Sequence, residues 1–292
     1  MTAETDSGST VPRWQLGGAL KRLREDAKLS LQGAADALEW SKQRLWRCET
    51  GQVSTHPNDV KAMCDLYEAG PELTETLKAV ARQTKSKGWW HSYSDIPGWF
   101  ELYLGMEGSA DRLRMYEAEV VPGPLQSRHY AEAILRSGLP ANTSDEAVRS
   151  LVGVRLRRQS ILSAGSTEVC VIMSEAALDR SFTPDIMADQ MRTLLTLAEL
   201  PGVSLRVIPR NAPPTLAHGG PFVILDFQRA LTARTTQPTT IYKEQPTGAL
   251  YLDKPHEAET YEKIWADLDR VSLDQTGSSR LIAQRLGEMT NA

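Results

Sequence analysis

The stretch from Gly17 to Tyr67 decides the fold of the amino-terminal part, and it reads GGALKRLREDAKLSLQGAADALEWSKQRLWRCETGQVSTHPNDVKAMCDLY. Apolar residues recur here at intervals of three and four, the spacing of helices that each bury one stripe. These positions are Leu16, Ala19, Leu20, Leu23, Leu29, Ala34, Leu38, Leu45, Cys48, Val60, Met63, Leu66 and Tyr67. The pattern predicts four short helices, of which the third is basic, arranged as a helix-turn-helix core.

The third predicted helix has clear start and stop signals. Ser41 can accept hydrogen bonds from the first free backbone N–H groups, and Gly51 suits the left-handed position just past a helix end. Leu45 and Cys48 are predicted to face inward. The side chains predicted to face outward are Lys42, Gln43, Arg44, Trp46 and Arg47.

The segments LGGALKRLRE, LSLQGAADAL, SKQRLWRCETG and DVKAMCDLY resemble the XRE, or lambda-repressor-like, helix-turn-helix family. The resemblance implies that the helix beginning at Ser41 lies in the major groove of DNA. It implies base contacts from Lys42, Gln43 and Arg47, because Lys and Arg reach guanine acceptors and Gln can bond adenine. The side chains for which it implies DNA-backbone contacts are Gln32, Ser41, Arg44 and Ser54.

Three positions depart from that family's pattern. Glu39 stands where the family usually has glycine, so the turn is expected to be strained or differently shaped. Leu31 replaces a glutamine, and Trp46 replaces a small residue on the third helix. Trp46 could contact DNA or pack against a second domain. A helical bundle used for protein contacts is the alternative interpretation of the whole segment.

Charge is distributed unevenly along the chain. The 292 residues carry a net charge of −4, and 41% of them are apolar, which is enough for a sizeable core and two domains. Between Arg13 and Arg47, however, eight Lys and Arg residues stand against four acidic ones, a surplus of four positive charges. This surplus suits a small phosphate-binding face, and it also fits a solvated helical surface.

Cysteine use and the start of the chain both predict a cytoplasmic protein. Cys48, Cys64 and Cys170 form no CxxC pair and are predicted to be reduced core residues. The first eleven residues lack the features of a signal peptide, and no apolar run is long enough to span a membrane. The predicted layout is a disordered tail at 1–11, a helix-turn-helix domain with a fifth helix at 12–86, and a second domain at 87–292.

An aromatic block opens the predicted second domain. Its members are Trp89, Trp90, Tyr93, Trp99, Phe100 and Tyr103, although only 7% of the chain is aromatic. So dense a cluster must be buried against something. Together with the segment VVPGPLQS it is a candidate ligand pocket, because ligand cavities are mostly apolar with a few polar groups. A plain core between domains is the interpretation that we favour.

The remaining residues alternate between strand and helix patterns, which predicts an α+β fold with one mixed or mostly antiparallel sheet. The predicted strands are Met115–Val121, Glu168–Met173, Ser204–Ile208, Phe222–Phe227, Thr239–Lys243 and Gly248–Leu252. The predicted helices are Ser127–Arg136, Asp145–Leu162, Thr183–Leu200, Pro255–Ser272 and Ser278–Glu288.

This part is also similar to a known family. The segments VVPGPLQSRHYAEAIL, VIMSEAALDR, GVSLRVIPRNAP, GGPFVILDF and TIYKEQPTGALYLD resemble the domain of unknown function that follows an XRE helix-turn-helix in actinobacterial, antitoxin-like regulators. With the amino-terminal segments, the resemblance covers nearly the whole chain. It implies an intracellular regulator whose second domain senses a ligand or binds a small protein partner.

The sequence predicts neither a catalytic centre nor a metal site or cofactor. The histidines, which are His56, His91, His129, His218 and His256, lie far apart and form no metal-ligand motif. Ser174 and Glu175 follow a predicted strand, where sites often lie, but we favour a helix cap at Ser174 with Glu175 in the first turn. Gly219 and Gly220 could let a backbone approach a ligand, and we favour an ordinary loop.

Three functions remain open from the sequence. The leading one is a sequence-specific transcriptional regulator that binds a palindromic operator in double-stranded DNA as a homodimer, because one recognition helix covers too few bases. The second is an antitoxin-like module that holds a small protein partner. The third is an enzyme or small-molecule receptor in which the helix-turn-helix is only a scaffold. None of the three requires a membrane.

Overall fold

The computed structural model describes residues 10–83, 89–93, 96–179, 182–227, 238–245 and 247–290. Its described residues divide into two compact units. The first unit takes the described residues up to 92, those of 98–109, and Phe227; the second takes the rest. The predicted tail at 1–11 lies almost wholly outside the described residues, and the predicted domain boundary between 86 and 87 stays a prediction.

The first unit is helical, and it contains the four short helices and the fifth helix that the sequence predicts. Its helices are α1 (Thr10–Asp26), α2 (Leu31–Ala37), α3 (Lys42–Glu49), α4 (Pro57–Leu66), α5 (Pro71–Gln83) and α6 (Gly98–Glu107). The core joins the apolar stripes of α1 to α5, with Leu20, Leu45, Val60 and Leu77 fully buried. Burying these stripes against each other is the main stabilising contribution, since no helix this short is stable alone.

Helices α1 to α4 all end in the same way, with a residue in the left-handed region. These residues are Lys28, Glu39, Gly51 and Glu68, whose φ angles lie between 56° and 69°. After α2, the Trp40 N–H donates to the Ala35 carbonyl and the Glu39 N–H to the Asp36 carbonyl. This is the Schellman arrangement, in which the last free carbonyls are satisfied and glycine is usually preferred. Only one of these four left-handed positions is glycine.

The aromatic residues of α6 pack on each other. Phe100 stacks on Tyr103 with ring centroids 5.5 Å apart, and Trp99 meets Phe100 edge to face at 5.7 Å. The buried Tyr103 hydroxyl donates to Glu107 at 2.9 Å. Ahead of α6, Trp89 and Trp90 also pack edge to face within a short 3-10 turn.

The second unit alternates strands and helices, as the sequence predicts. In chain order its elements are β1 (Arg112–Glu117), α7 (Arg128–Gly138), α8 (Asp145–Arg158), α9 (Ser160–Ser163), β2 (Glu168–Ser174), α10 (Pro184–Ala198), β3 (Val203–Ile208), β4 (Phe222–Asp226), β5 (Thr240–Gln245), β6 (Gly248–Leu252), α11 (Pro255–Val271) and α12 (Gln275–Thr290). The single helix predicted over Asp145–Leu162 is in fact two, with a break at Gln159.

Among the described residues, six strands form one mixed sheet in the order β3-β2-β1-β4-β5-β6. Strand β1 pairs with β2 in parallel and with β4 in antiparallel orientation, so it separates a parallel half from an antiparallel half. Strand β3 continues the parallel half, and β5 and β6 continue the antiparallel half. The predicted α+β class and mixed sheet are confirmed.

Strand β1 begins and ends earlier than the predicted Met115–Val121. The prediction was wrong because Arg112 and Arg114 do not look like strand residues. Arg114 is nevertheless buried, and its guanidinium donates to Asp226 of β4 at 2.9 Å and to Glu262 of α11. Two carboxylates thus compensate a cation in the sheet, as a buried charge requires.

One face of the sheet packs against α11. Tyr116, Ile172, Phe222 and Ile241 lie on that face, and Leu268 of α11 is fully buried in the same cluster. Leu113 and Met115 of β1 are buried on the other face, since alternate side chains of a strand point to opposite faces.

Candidate DNA-binding surface

Helix α3 begins and ends where the sequence predicts. The Ser41 hydroxyl accepts a hydrogen bond from the Arg44 N–H at 3.2 Å, and Gly51 adopts φ 69° just past the carboxyl end. A side chain at Gly51 would also meet the backbone of Trp14 at 2.6 Å. Glycine is therefore required at this position both for its backbone angle and for space.

Helix α3 lies directly against α1. A Cβ atom added to Gly17 would come within 2.6 Å of the carbonyl oxygens of Cys48 and Glu49. The two backbones therefore touch, and only glycine permits that distance. Leu45 and Cys48 are buried on the same side, as predicted. The opposite side of α3 is consequently held outward.

A buried ion pair also fixes α3, and sequence reasoning missed it. Arg24 of α1 donates to both carboxylate oxygens of Glu49, at 2.7 and 2.8 Å, and to the Leu29 carbonyl at 2.8 Å. Both side chains are more than 90% buried. A signal existed, because Arg24 and Glu49 continue the inward stripes of their helices with opposite charges. Removing one partner from such a pair leaves an uncompensated buried charge.

The outward face of α3 presents the three residues predicted to read bases. Lys42, Gln43 and Arg47 are all exposed, and so is Trp46, whose exposed fraction is 45%. Arg and Lys can donate to guanine, Gln can bond adenine on two atoms, and an aromatic ring can contact a thymine methyl group. The face therefore combines the donors, acceptors and apolar surface that a major groove requires.

The four residues predicted to contact the DNA backbone are all exposed. Arg44 stacks on the Trp40 ring at 3.9 Å and pairs with Asp59 at 3.0 Å, so its side chain is held in place by contacts within the unit. The Gln32 side-chain amide donates to Asp36 at 2.7 Å, and this bond fixes the orientation of the amide group. Ser54 and Ser41 are exposed. Sequence reasoning did not identify Trp40 and Asp59 as the groups that hold Arg44.

A shallow, open depression runs beside α3. Its lining residues are Ser41, Gln43, Arg44, Arg47 and Val53. Two of them are cations and two are neutral hydrogen-bonding residues. A depression with this lining suits a phosphate or the edge of a base, since most protein–DNA hydrogen bonds go to phosphate oxygens.

The residues of the aromatic block lie at different depths. Trp90 and Tyr103 are buried, with exposed fractions of 1% and 2%. Trp89, Tyr93, Trp99 and Phe100 are half-buried. Tyr103 and Trp90 thus behave as core residues. The ligand pocket predicted from this block stays a prediction.

The polar residues singled out elsewhere in the sequence have structural partners. Ser174 caps the 3-10 turn Glu175–Leu178 by accepting from the Ala176 N–H at 3.2 Å. Glu175 is buried and accepts from the Arg210 N–H and from Arg285. Gly220, at φ 86°, lies in the loop that enters β4, as the loop interpretation predicts.

Histidine, cysteine and acidic residues form no cluster suited to a metal ion among the residues that the structure describes. His129 is exposed and contacts Asp189 at 3.1 Å. All three cysteines are free and buried, and burial raises the pKa of each thiol. The prediction that the cysteines are core residues is confirmed. Over the same described residues, every helix is too short or too polar to cross a bilayer.

Two family models match the chain. One, described as a helix-turn-helix domain, matches residues 15–77; the other, described as a domain of unknown function (DUF5753), matches residues 100–284. No curated protein and no solved structure matches it significantly. The order predicted from the sequence, a helix-turn-helix domain followed by a domain of unknown function, is confirmed. The first match contains every α3 residue named above.

Proposed function

Since the chain belongs to the family defined by the domain of unknown function (DUF5753) and carries a helix-turn-helix domain ahead of it, we propose that it is a sequence-specific regulator of transcription. Helix α3 is the recognition helix in this proposal. Lys42, Gln43 and Arg47 contact base edges, and Gln32, Ser41, Arg44 and Ser54 contact the DNA backbone. The XRE subgroup and the antitoxin-like role stay predictions.

The outward face of α3 is the observation that supports this proposal. Three predicted base-reading side chains share that face, while Leu45, Cys48 and Glu49 are buried behind it. The cap at Ser41 and the contact at Gly17 hold the helix without using Lys42, Gln43 or Arg47. A rigid helix with a polar outward face is what direct readout of a groove requires.

The DNA-binding test compares variants at three exposed positions of the first unit, two on α3 and one on α4. Binding to operator DNA selected from genomic fragments is measured for Gln43→Ala, Arg47→Ala and the control Lys61→Ala, whose exposed side chain pairs with Asp65 on α4. We expect Gln43→Ala and Arg47→Ala each to lower specific affinity roughly 10- to 100-fold, the value of one good base contact. The control should bind as the unmodified protein does.

The result that contradicts the groove assignment is equal binding by all three variants on the selected sequence. Salt dependence supplies a second measurement. If the contacts include phosphates, affinity should fall steeply as salt concentration rises, because bound counterions are released.

We further propose that two copies bind a palindromic operator and that the second unit controls binding through an effector or a small protein partner. A single recognition helix reads too few bases for useful specificity, which supports a dimer. Control requires that the effector bind the DNA-competent and DNA-incompetent states with different affinity. The stoichiometry on a palindrome compared with a half-site tests the dimer, and copurification of a small protein tests the partner.

A further inference from the structure

Strands β1 and β5 run in the same direction, and each has a glutamate near its carboxyl end. Met115 of β1 pairs with Val223 of β4, which pairs in turn with Tyr242 of β5. Glu117 and Glu244 lie two residues beyond Met115 and Tyr242, in the same direction, because β1 and β5 run parallel. Both carboxyl groups therefore lie on one face at one end of the sheet.

Two arginines of α8 approach the same end. Arg155 donates to the side-chain oxygen of Gln126 at 2.5 Å, and the Gln126 amide donates to the Val121 carbonyl at 2.7 Å. These bonds tie the Arg155 guanidinium to the segment 121–126, which follows β1 in the chain. Arg158 also comes close, since a Cβ atom added to Gly123 would meet its guanidinium at 2.8 Å.

No ion pair joins Glu117 to Arg155, two residues that the structure describes. The structure gives the Glu117 carboxyl no hydrogen bond or ion pair to any described residue, and Arg155 bonds only Gln126 among them. Each nevertheless influences the ionisation of the other. An acid and a cation that are close, partly buried and unpaired leave hydrogen-bonding capacity that a ligand could use.

We propose that this end of the sheet carries a binding site for a small zwitterion, in which Arg155 binds the carboxylate and Glu117 and Glu244 bind the ammonium group. The side chains favour that class of ligand, since the two carboxyl groups of Glu117 and Glu244 are matched by the two guanidinium groups of Arg155 and Arg158. A free amino acid has the required chemistry. The inference rests on the effector part of the proposed function, for which it supplies a ligand class.

The position of the site in the fold supports the proposal. Strand β1 lies where the parallel half of the sheet meets the antiparallel half, and Glu117 is at its carboxyl end. Ligands of open sheets commonly bind beyond the carboxyl ends of strands, where the strand order changes direction. Tyr242, whose hydroxyl donates to Glu244 at 3.3 Å, adds an aromatic wall.

The protonation state of Glu117 supplies an independent readout. Burial and the nearby Glu244 carboxylate raise the pKa of Glu117 to about 8, while Arg155 opposes the shift. An ammonium group bound there favours the ionised carboxylate, so binding near pH 7 should release a proton. The enthalpy of binding should then differ between buffers that have different ionisation enthalpies.

The experiment measures thermal unfolding and calorimetric binding of the full chain with a panel of free amino acids. The matched probes are N-acetyl amino acids, which lack the ammonium group, and amino acid amides, which lack the carboxylate. We expect at least one free amino acid to raise the unfolding temperature and its two derivatives to fail. Arg155→Gln and Glu117→Gln should each weaken binding roughly 10- to 100-fold, the loss of one charge-assisted contact.

Arg149→Gln is the matched control, because Arg149 is exposed on the same helix. It should bind the amino acid as the unmodified chain does. The inference is overturned if no free amino acid binds at millimolar concentration, if the N-acetyl derivative binds equally well, or if Arg155→Gln and Glu117→Gln retain full affinity. None of these measurements uses DNA, so failure of this site and failure of the DNA-binding proposal are distinguishable.

Discussion

At the scale of single residues, Glu39 adopts a backbone conformation that L-residues other than glycine avoid. Its φ of 56° closes the Schellman arrangement after α2, and its side chain is exposed. The left-handed conformation costs a residue with a Cβ atom about 1 kcal/mol or more. The sequence-based expectation of strain in this turn was therefore well founded, and the turn has the same form as the one that ends at Gly51.

We expect Glu39→Gly to stabilise the first unit by about 0.5–1 kcal/mol, because glycine removes the Cβ penalty but adds freedom to the unfolded chain. Chemical denaturation of the full chain measures the change. Glu39→Ala is the control, since it removes the carboxylate and keeps the Cβ atom. An equal gain from both substitutions would assign the effect to charge and refute the backbone explanation.

Two adjacent glycines in α1 have opposite surroundings. A Cβ atom at Gly17 would meet the α3 backbone at 2.6 Å, whereas one at Gly18 has nothing within 4 Å. We expect Gly17→Ala to destabilise by about 1–3 kcal/mol through overpacking. Gly18→Ala should instead stabilise by about 0.5–1 kcal/mol, since alanine favours helix. The midpoints of chemical unfolding of the two variants measure both changes. Changes of the same sign would refute the close approach of α1 and α3.

At the scale of elements, the position of α3 depends on a pair of charges that continue two inward stripes. Arg24 and Glu49 form a two-bond contact in the core between α1 and α3. Sequence periodicity identified the apolar part of those stripes and the cap at Ser41. It did not identify the ion pair, because a single charged residue in a stripe indicates a pair only when its partner on another helix is known.

If Arg24 and Glu49 act as a pair, removing one of them should cost more stability than replacing both. Glu49→Leu alone should destabilise by about 3–5 kcal/mol, because the Arg24 charge stays buried without its partner. Adding Arg24→Met should recover much of that loss. Urea unfolding measures both, and Asp65→Asn, which breaks an exposed pair on α4, should leave the midpoint unchanged. Additive losses in the double variant would show that the two side chains act independently.

The strands show where periodicity is sufficient and where it fails. Strands β2, β3, β5 and β6 were predicted within two residues of their observed ends, because apolar residues fill them or alternate along them. Strand β1 was displaced, because its arginines obtain their ion pairs from residues distant in sequence. Arg112 pairs with Glu168, and Arg114 pairs with Asp226 and Glu262. The cluster around Glu117 was missed for the same reason.

At the scale of the whole molecule, the ionisation of Glu117 makes stability depend on pH. Its pKa is raised to about 8 in the fold, above the ordinary value of 4.5. The folded state therefore binds this proton more tightly than the unfolded chain does. The contribution of Glu117 protonation to the free energy of unfolding is fully present below pH 4.5 and is lost as the pH rises through about 8.

We expect Glu117→Gln to remove this dependence, since the amide cannot ionise. Relative to the variant, the unmodified chain should lose on the order of 3 kcal/mol between pH 4.5 and 9. Denaturant midpoints at several pH values measure the difference. Arg155 and Glu244 face the same group and are unchanged in both proteins. Parallel pH profiles for the two proteins would contradict the assigned shift.

The central place of β1 in the sheet has a consequence for how the chain acquires its structure. In the sheet register, Arg112 of β1 lies opposite Asp226 of β4. Strand β1 therefore cannot complete its pairing until β4 leaves the ribosome, more than a hundred residues later. The helices α1 to α5 contact one another over far shorter separations. Local contacts form fast and distant strand pairings form slowly. The amino-terminal helices should thus mature early in synthesis, while the sheet closes only near its end, and refolding should show two kinetic phases.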